Sequence, residues 1–207
     1  MKKYEFTEET RKIEGVTLYR IRALKDFGNV KAGELGGFIE KEENLSHEGN
    51  CWVAGNALVL GEGRVYDNAQ VCDNAAIAGH VYGNAYVCDK TRVYIHGRVY
   101  DNAHVYGNAK VLGSARIKPK AQVCDNAVIC GAAKIYGKVY GNANVGCHTD
   151  VYGSVYGNAK ISGYFTIRGR VYGNARLKRH SDLIFVSKNC EVYEGDTVVK
   201  IVENQAA

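Results

Sequence analysis

The sequence predicts an all-β protein that is wound into a parallel β-solenoid. The tripeptide Gly-Asn-Ala or Asp-Asn-Ala occurs ten times between Gly55 and Ala175. An aliphatic residue recurs every six positions in most repeats from Val53 to Leu177, and an alanine stands two positions before it in the full repeats. Because side chains alternate along a strand, both point inward, and the hexad winds into a narrow triangular prism. Gly or Asp followed by Asn forms each corner, since these residues tolerate left-handed backbone angles.

Three hexads, one for each side, predict a coil of about 18 residues, which a trimmed corner shortens to about 16. The Asn-Ala pair is deleted in four steps, which run from Ile77 to Val81, Ile135 to Val139, Val151 to Val155 and Ile167 to Val171. About seven coils are expected at roughly 4.8 Å each. We therefore divide the chain into an N-terminal β cap (1–50), a hexapeptide-repeat β-solenoid (51–178) and a C-terminal cap or tail (179–207).

Positive charge is concentrated in the solenoid. The chain carries a net charge of +5, but residues 51–178 hold 15 basic and 7 acidic side chains, a net +8, whereas both flanking segments are mildly acidic. A basic surface favours anionic partners. The sequence has no run of 18 apolar residues and no export signal, which predicts a cytoplasmic protein without a membrane span.

The cysteines are expected to be reduced thiols, not metal ligands. The chain has seven of them and no CxxC pair. Four occupy the slot directly after the repeat aliphatic residue, where tyrosine is commoner, namely Cys72, Cys88, Cys124 and Cys130. In this slot they act as small apolar fillers of the repeat. Neither a metal site nor a cofactor is predicted.

One outward face of the prism carries a basic and aromatic stripe. The residues that flank the inward aliphatic position point outward, and following every third side collects them on one face. The candidate ligand-binding residues on this face are Arg64, Tyr66, His80, Tyr82, Arg98, Tyr100, Arg116, Lys134 and Tyr136. Arginine and tyrosine suit charge-assisted bonds to phosphate and stacking on bases. The same residues suit a stabilising aromatic ladder or an oligomer interface, and both uses remain open.

The N-terminal part of the chain resembles a known family. The stretch Ala23-Leu-Lys-Asp-Phe-Gly-Asn-Val-Lys-Ala-Gly-Glu-Leu-Gly-Gly-Phe-Ile39, followed by Asn44-Leu-Ser and Gly49-Asn-Cys-Trp-Val53, resembles the start of YdcK-like hexapeptide-repeat proteins. Similar openings occur in phage-encoded hexapeptide-repeat proteins. The resemblance implies a left-handed parallel β-helix and a homotrimer, and a host-cytoplasm location if the chain is phage-encoded. It does not identify an active site in this sequence.

The predicted function is non-catalytic binding of a small phosphorylated or nucleotide-like ligand between protomers, with a sequestering role if the protein is phage-encoded. One alternative is a hexapeptide-type acyltransferase, which needs a histidine as general base. The candidate bases are His80, His96, His104 and His148, and none lies in a recognisable catalytic motif, so no catalytic residue is assigned. A second alternative is a structural rod that binds a protein partner. Nucleic acid is not an expected partner, because the basic side chains are spaced singly.

Overall fold

The computed structural model describes residues 2–178 and 184–201, so parts of the predicted C-terminal segment, residues 179–183 and 202–207, lie outside the described residues. Short parallel strands stack coil upon coil and form a β-solenoid, which confirms the predicted fold class. Inward valine, isoleucine and alanine side chains from every coil fill its centre and are almost completely buried. The narrow prism is closed because each coil supplies one large and one small inward residue per side.

Three sheets make the sides of the solenoid. Sheet 1 contains Leu35–Ile39, Leu58–Val59, Ala76–Ile77, Arg92–Val93, Lys110–Val111, Val128–Ile129, Asn144–Cys147, Lys160–Gly163 and the end of Arg170–Lys178. Sheet 2 contains Trp52–Val53, Gln70–Val71, Tyr86–Val87, His104–Val105, Gln122–Val123, Lys138–Val139, Ser154–Val155, the start of Arg170–Lys178, Cys190–Gly195 and Val199–Lys200. Sheet 3 contains Arg64–Val65, His80–Tyr82, Arg98–Tyr100, Arg116–Ile117, Lys134–Ile135, Asp150–Val151, Thr166–Ile167 and Phe185–Val186.

The register follows the predicted winding. On sheet 3, Arg64 pairs with His80 across a coil that contains one trimmed corner, and His80 pairs with Arg98 across a coil of three full hexads. Where the Asn-Ala pair is deleted, a glycine such as Gly137 takes the inward slot. A Cβ at Gly137 would lie 2.0 Å from the carbonyl oxygen of Gly153 in the next coil, so no larger residue fits this tighter corner. A trimmed corner therefore requires glycine at its inward position, whereas most full repeats hold alanine there.

Polar side chains connect the corners along the solenoid axis. Asn108 donates a hydrogen bond to Asn126, which donates to Asn142, with Nδ2–Oδ1 distances of 3.0 Å in both cases. The corner residue Asp67 has a φ of 59°, and its carboxylate accepts the N–H of Gly83 at 3.0 Å. Aspartate tolerates such a left-handed corner better than most residues, and its side chain also satisfies a backbone donor.

A β-hairpin covers the N-terminal end. Strand β1 (Tyr4–Ile13) pairs antiparallel with β2 (Val16–Ala23), and β2 pairs antiparallel with β3 (Leu35–Ile39), the first strand of sheet 1. A 3₁₀ turn at Glu42–Asn44 then leads toward sheet 3. The hairpin ends the stack with antiparallel strands, which protects the open edge of sheet 1.

Two further observations bear on surroundings and redox state. No helix among the described residues is long and apolar enough to cross a membrane. The seven cysteines, all of which lie in the described part of the chain, are free thiols.

Candidate functional site

The nine predicted stripe residues lie together on sheet 3. Arg64, His80, Arg98, Arg116 and Lys134 stand in one vertical column, because each pairs with the next through the parallel register. The second column, two positions later in each strand, consists of Tyr66, Tyr82, Tyr100, Lys118, Tyr136, Tyr152 and Arg168. We call these two columns the basic column and the tyrosine column.

Rings in the tyrosine column stack on one another. Tyr82 lies between Tyr66 and Tyr100, with centroid distances of 4.8 Å and 5.0 Å and interplanar angles of 4°. The ammonium group of Lys118 sits 5.3 Å from the ring centroid of Tyr100 and 5.5 Å from that of Tyr136. The faces of the inner rings are therefore covered by neighbouring side chains, and the column acts as a stabilising ladder along sheet 3.

The basic column retains uncompensated charge. Arg64, Arg98 and Arg116 are exposed, and none of them forms an ion pair with another described residue. Lys134 approaches Asp150 at 3.8 Å, so the positive charge is reduced only toward the C-terminal end. The parallel register places Arg98, Arg116 and Lys134 on successive strands, whose backbones lie about 4.8 Å apart. An anion on this face would be attracted by several of them together.

A cavity of about 360 Å³ lies where the tyrosine column begins. Its lining consists of Glu43, Ser46, Arg64, Val65, Tyr66 and His80. The ring contacts of Tyr66 are with Tyr82 and His80, both in the following coil. The ring side that faces the preceding coil has no aromatic neighbour among the described residues. The cavity thus combines an exposed guanidinium with a tyrosine ring face that has no aromatic neighbour among the described residues, and its volume is in the range of small-ligand pockets.

His80 is the histidine that lines this cavity. Partial burial lowers its pKa, and the neighbouring Arg98 and Arg64 lower it further. The imidazole is therefore neutral near pH 7 and can accept a proton. The other candidate bases lie elsewhere: His96 occupies a corner with a φ of 66°, and His148 stacks on Tyr164 at 4.8 Å, while His104 belongs to sheet 2.

Sequence reasoning identified the stripe but missed part of the cavity. Glu43 and Ser46 come from the 3₁₀ turn and the residues after it, outside the hexad repeats. The hexad register gives no position for this segment, so no sequence signal placed it beside Arg64. The bridge between Leu45 and Val65 is the contact that brings it to the edge of sheet 3.

Comparisons with known proteins support one relationship. No family model matches the chain. A segment is 41% identical over 61 residues to the uncharacterized acetyltransferase YdcK of Escherichia coli (strain K12), covering 26% of this chain. This similarity confirms the resemblance to YdcK-like hexapeptide-repeat proteins. The chain spans 19%, about a fifth, of the length of that relative. A phage origin stays a prediction.

Proposed function

We propose that the protein binds a small phosphorylated ligand in the cavity at the N-terminal end of sheet 3. The observation that carries the proposal is that Arg64, Tyr66 and His80 line one cavity at the point where the tyrosine column begins. The guanidinium of Arg64 suits bidentate contact with a phosphate group. Tyr66 lines the cavity and has its aromatic contacts on the side of the following coil, so its other face suits stacking of a planar ring, and the ligand class is a nucleotide or a similar phosphorylated compound.

Calorimetric titration with AMP tests this proposal. Arg64→Ala should weaken binding by about 1.5–3 kcal/mol, the contribution of a hydrogen-bonded charged pair, which is roughly tenfold to hundredfold in Kd. Arg116→Ala is the matched control, because Arg116 belongs to the same column three coils away. At about 14 Å it lies beyond the screening length in physiological salt and should leave the affinity unchanged. Equal losses in both variants would contradict the assignment of the cavity, as would the absence of binding to the wild-type protein.

Acyl transfer is the second candidate function, and the lowered pKa of His80 favours it. A neutral imidazole beside Ser46 and Glu43 could deprotonate an acceptor hydroxyl or amine. The name of the relative, an uncharacterized acetyltransferase, points to the same chemistry. Incubation with acetyl-CoA and a panel of amine and hydroxyl acceptors should then release CoA, and His80→Gln should abolish the release. Turnover that persists in His80→Gln would remove His80 as the base.

A homotrimer remains part of the proposal. The resemblance to hexapeptide-repeat proteins supports it, and in such an assembly the basic column would border a groove between protomers. Native mass spectrometry of the purified protein measures the number of chains directly. A cytoplasmic location and a protein partner also remain predictions.

A further inference from the structure

Two thiols and a carboxylate form a compact cluster on sheet 2. The Sγ atoms of Cys72 and Cys88 and a carboxylate oxygen of Asp73 all lie within 4.8 Å of one another. The two cysteines occupy the same outward slot of neighbouring coils, because Val71 pairs with Val87 in the parallel register. Asp73 is the next residue after Cys72 and forms the corner, with a φ of 59°. The cluster is therefore built by the repeat itself.

The polar groups of this cluster lie close to one another. Cys72 Sγ lies 3.2 Å from Tyr86 Oη and 3.5 Å from Asp73 Oδ2. A divalent cation at the centre of the cluster would be attracted by the Asp73 carboxylate and would favour the thiolate form of both cysteines.

An ion could reach the cluster from two sides. A cavity of about 390 Å³ is lined by Cys72 and Tyr86 together with residues of the loop around Asn29. A second cavity of about 410 Å³ is lined by Asp73, Asp89 and Lys90, among others. Cys72 is half-buried and Asp73 is exposed, so the donor atoms are within reach of solvent.

We propose that Cys72, Cys88 and Asp73 bind a thiophilic divalent cation such as Zn²⁺. Thiolates and a carboxylate are ligands that zinc accepts in proteins, and three protein ligands leave the fourth tetrahedral position to water. In a tetrahedral site with Zn–S bonds of about 2.3 Å, the two sulfur atoms lie about 3.8 Å apart. The two sulfur atoms therefore need to approach each other by no more than about 1 Å. Both thiols lose a proton to solvent when the metal binds.

Cys124 provides a matched control within the same column. It occupies the same outward slot of sheet 2, and it is half-buried like Cys72. Its neighbours in that slot are Tyr106 and Tyr140, because Val123 pairs with Val105 and with Val139. Cys124 thus has the environment of the repeat but no second thiol in the adjacent coils. The proposed site lies on sheet 2 and is independent of the ligand proposed for sheet 3.

Titration of the reduced full-length protein with Co²⁺, a spectroscopic substitute for Zn²⁺, tests the proposal. We expect a thiolate-to-cobalt charge-transfer absorption that saturates at one equivalent and is displaced by Zn²⁺. Cys72→Ser and Cys88→Ser should each abolish it, whereas Cys124→Ser should retain it. Asp73→Asn tolerates the left-handed corner but lacks the charge, and should weaken the affinity by about tenfold or more, at least the loss seen when an outer-shell partner is removed.

Proton release gives a second readout that does not depend on the absorption band. Binding of Zn²⁺ in a weakly buffered solution should release close to two protons per metal in the wild-type protein. Circular dichroism of Cys72→Ser and Cys88→Ser checks that the variants are folded. Absorption that survives in both folded serine variants would overturn the proposal, as would saturation without any charge-transfer band.

Discussion

Tyr82→Ala should destabilise the solenoid more than the loss of an exposed tyrosine does elsewhere. The ring of Tyr82 makes two face-to-face contacts, at 4.8 Å with Tyr66 and at 5.0 Å with Tyr100. Each such pair contributes about 0.5–1.5 kcal/mol beyond the buried area, so the two contacts together contribute about 1–3 kcal/mol. Tyr94→Ala is the matched control, because Tyr94 occupies the equivalent outward slot on sheet 1, is 37% exposed and has no aromatic ring contact among the described residues.

Urea denaturation of both variants measures this difference. Solenoids can unfold in parts, so the midpoint should be followed by circular dichroism and by hydrogen exchange in the coils that contain Tyr66 and Tyr100. We expect the free energy of unfolding to fall about 1–3 kcal/mol further in Tyr82→Ala than in Tyr94→Ala. Equal losses would show that ring stacking adds nothing to the stability of sheet 3. In that case the tyrosine column would need another explanation than a structural ladder.

Three other perturbations follow from the same geometry. Gly137→Ala should lower the free energy of unfolding by about 3 kcal/mol, because its Cβ would lie 2.0 Å from the carbonyl oxygen of Gly153. Gly61→Ala should lower it by about 1 kcal/mol, because φ is +58° there but no atom lies within 4 Å. Equal unfolding midpoints for the two variants would contradict this. Folding lowers the pKa of His80 from its ordinary value of 6.5. The stability that the neutral imidazole contributes is therefore present above pH 6.5 and is lost as the pH falls through the folded pKa. His80→Gln should consequently flatten the slope of the free energy of unfolding against pH. The Nζ group of Lys3 donates to three backbone carbonyls at 2.9–3.4 Å. Lys3→Met leaves these carbonyls without that donor and should lower the free energy of unfolding by about 1–3 kcal/mol. An unchanged thermal midpoint would refute this prediction.

The six-residue period predicted the coil because residues that pack together in the core of a solenoid are only one coil apart in the sequence. Each inward side chain, such as Ala69 or Val71, contacts its equivalents one coil away, so a period read from the sequence gives both the burial and the register. The same period places an asparagine at equivalent corners of successive coils, where Asn108 donates a hydrogen bond to Asn126. The trimmed corners did not change which residues were predicted to point outward. Each deletion removes an Asn-Ala pair, which is an even number of positions, so the inward–outward alternation is preserved.

Features outside the repeat were harder to predict. Strand β1 (Tyr4–Ile13) was not predicted, since its sequence is largely charged and it buries little besides Tyr4. The cavity needed Glu43 and Ser46, whose position depends on tertiary contacts of the N-terminal segment. The pattern predicted the tyrosine column, but sequence alone left two uses open, and only the ring geometry showed that the inner faces are occupied.

The thiol cluster was missed for a different reason. Cys72 and Cys88 are separated in the sequence by a whole coil, so they resemble no short metal motif, and the repeat offered a sufficient explanation for each as a small filler. Their proximity follows from the trimmed coil that places them in adjacent rungs. A search for cysteines one coil apart, instead of the close spacing of a CxxC pair, would have found them.

A crystal structure of the protein grown with AMP is the most direct test of whether the cavity at the N-terminal end of sheet 3 binds a phosphorylated ligand. We expect the phosphate within hydrogen-bonding distance of the Arg64 guanidinium and the adenine against the face of Tyr66 that points away from Tyr82. AMP bound instead along the part of the basic column that contains Arg116 and Lys134 would contradict it. So would an empty cavity at an AMP concentration that saturates calorimetric binding.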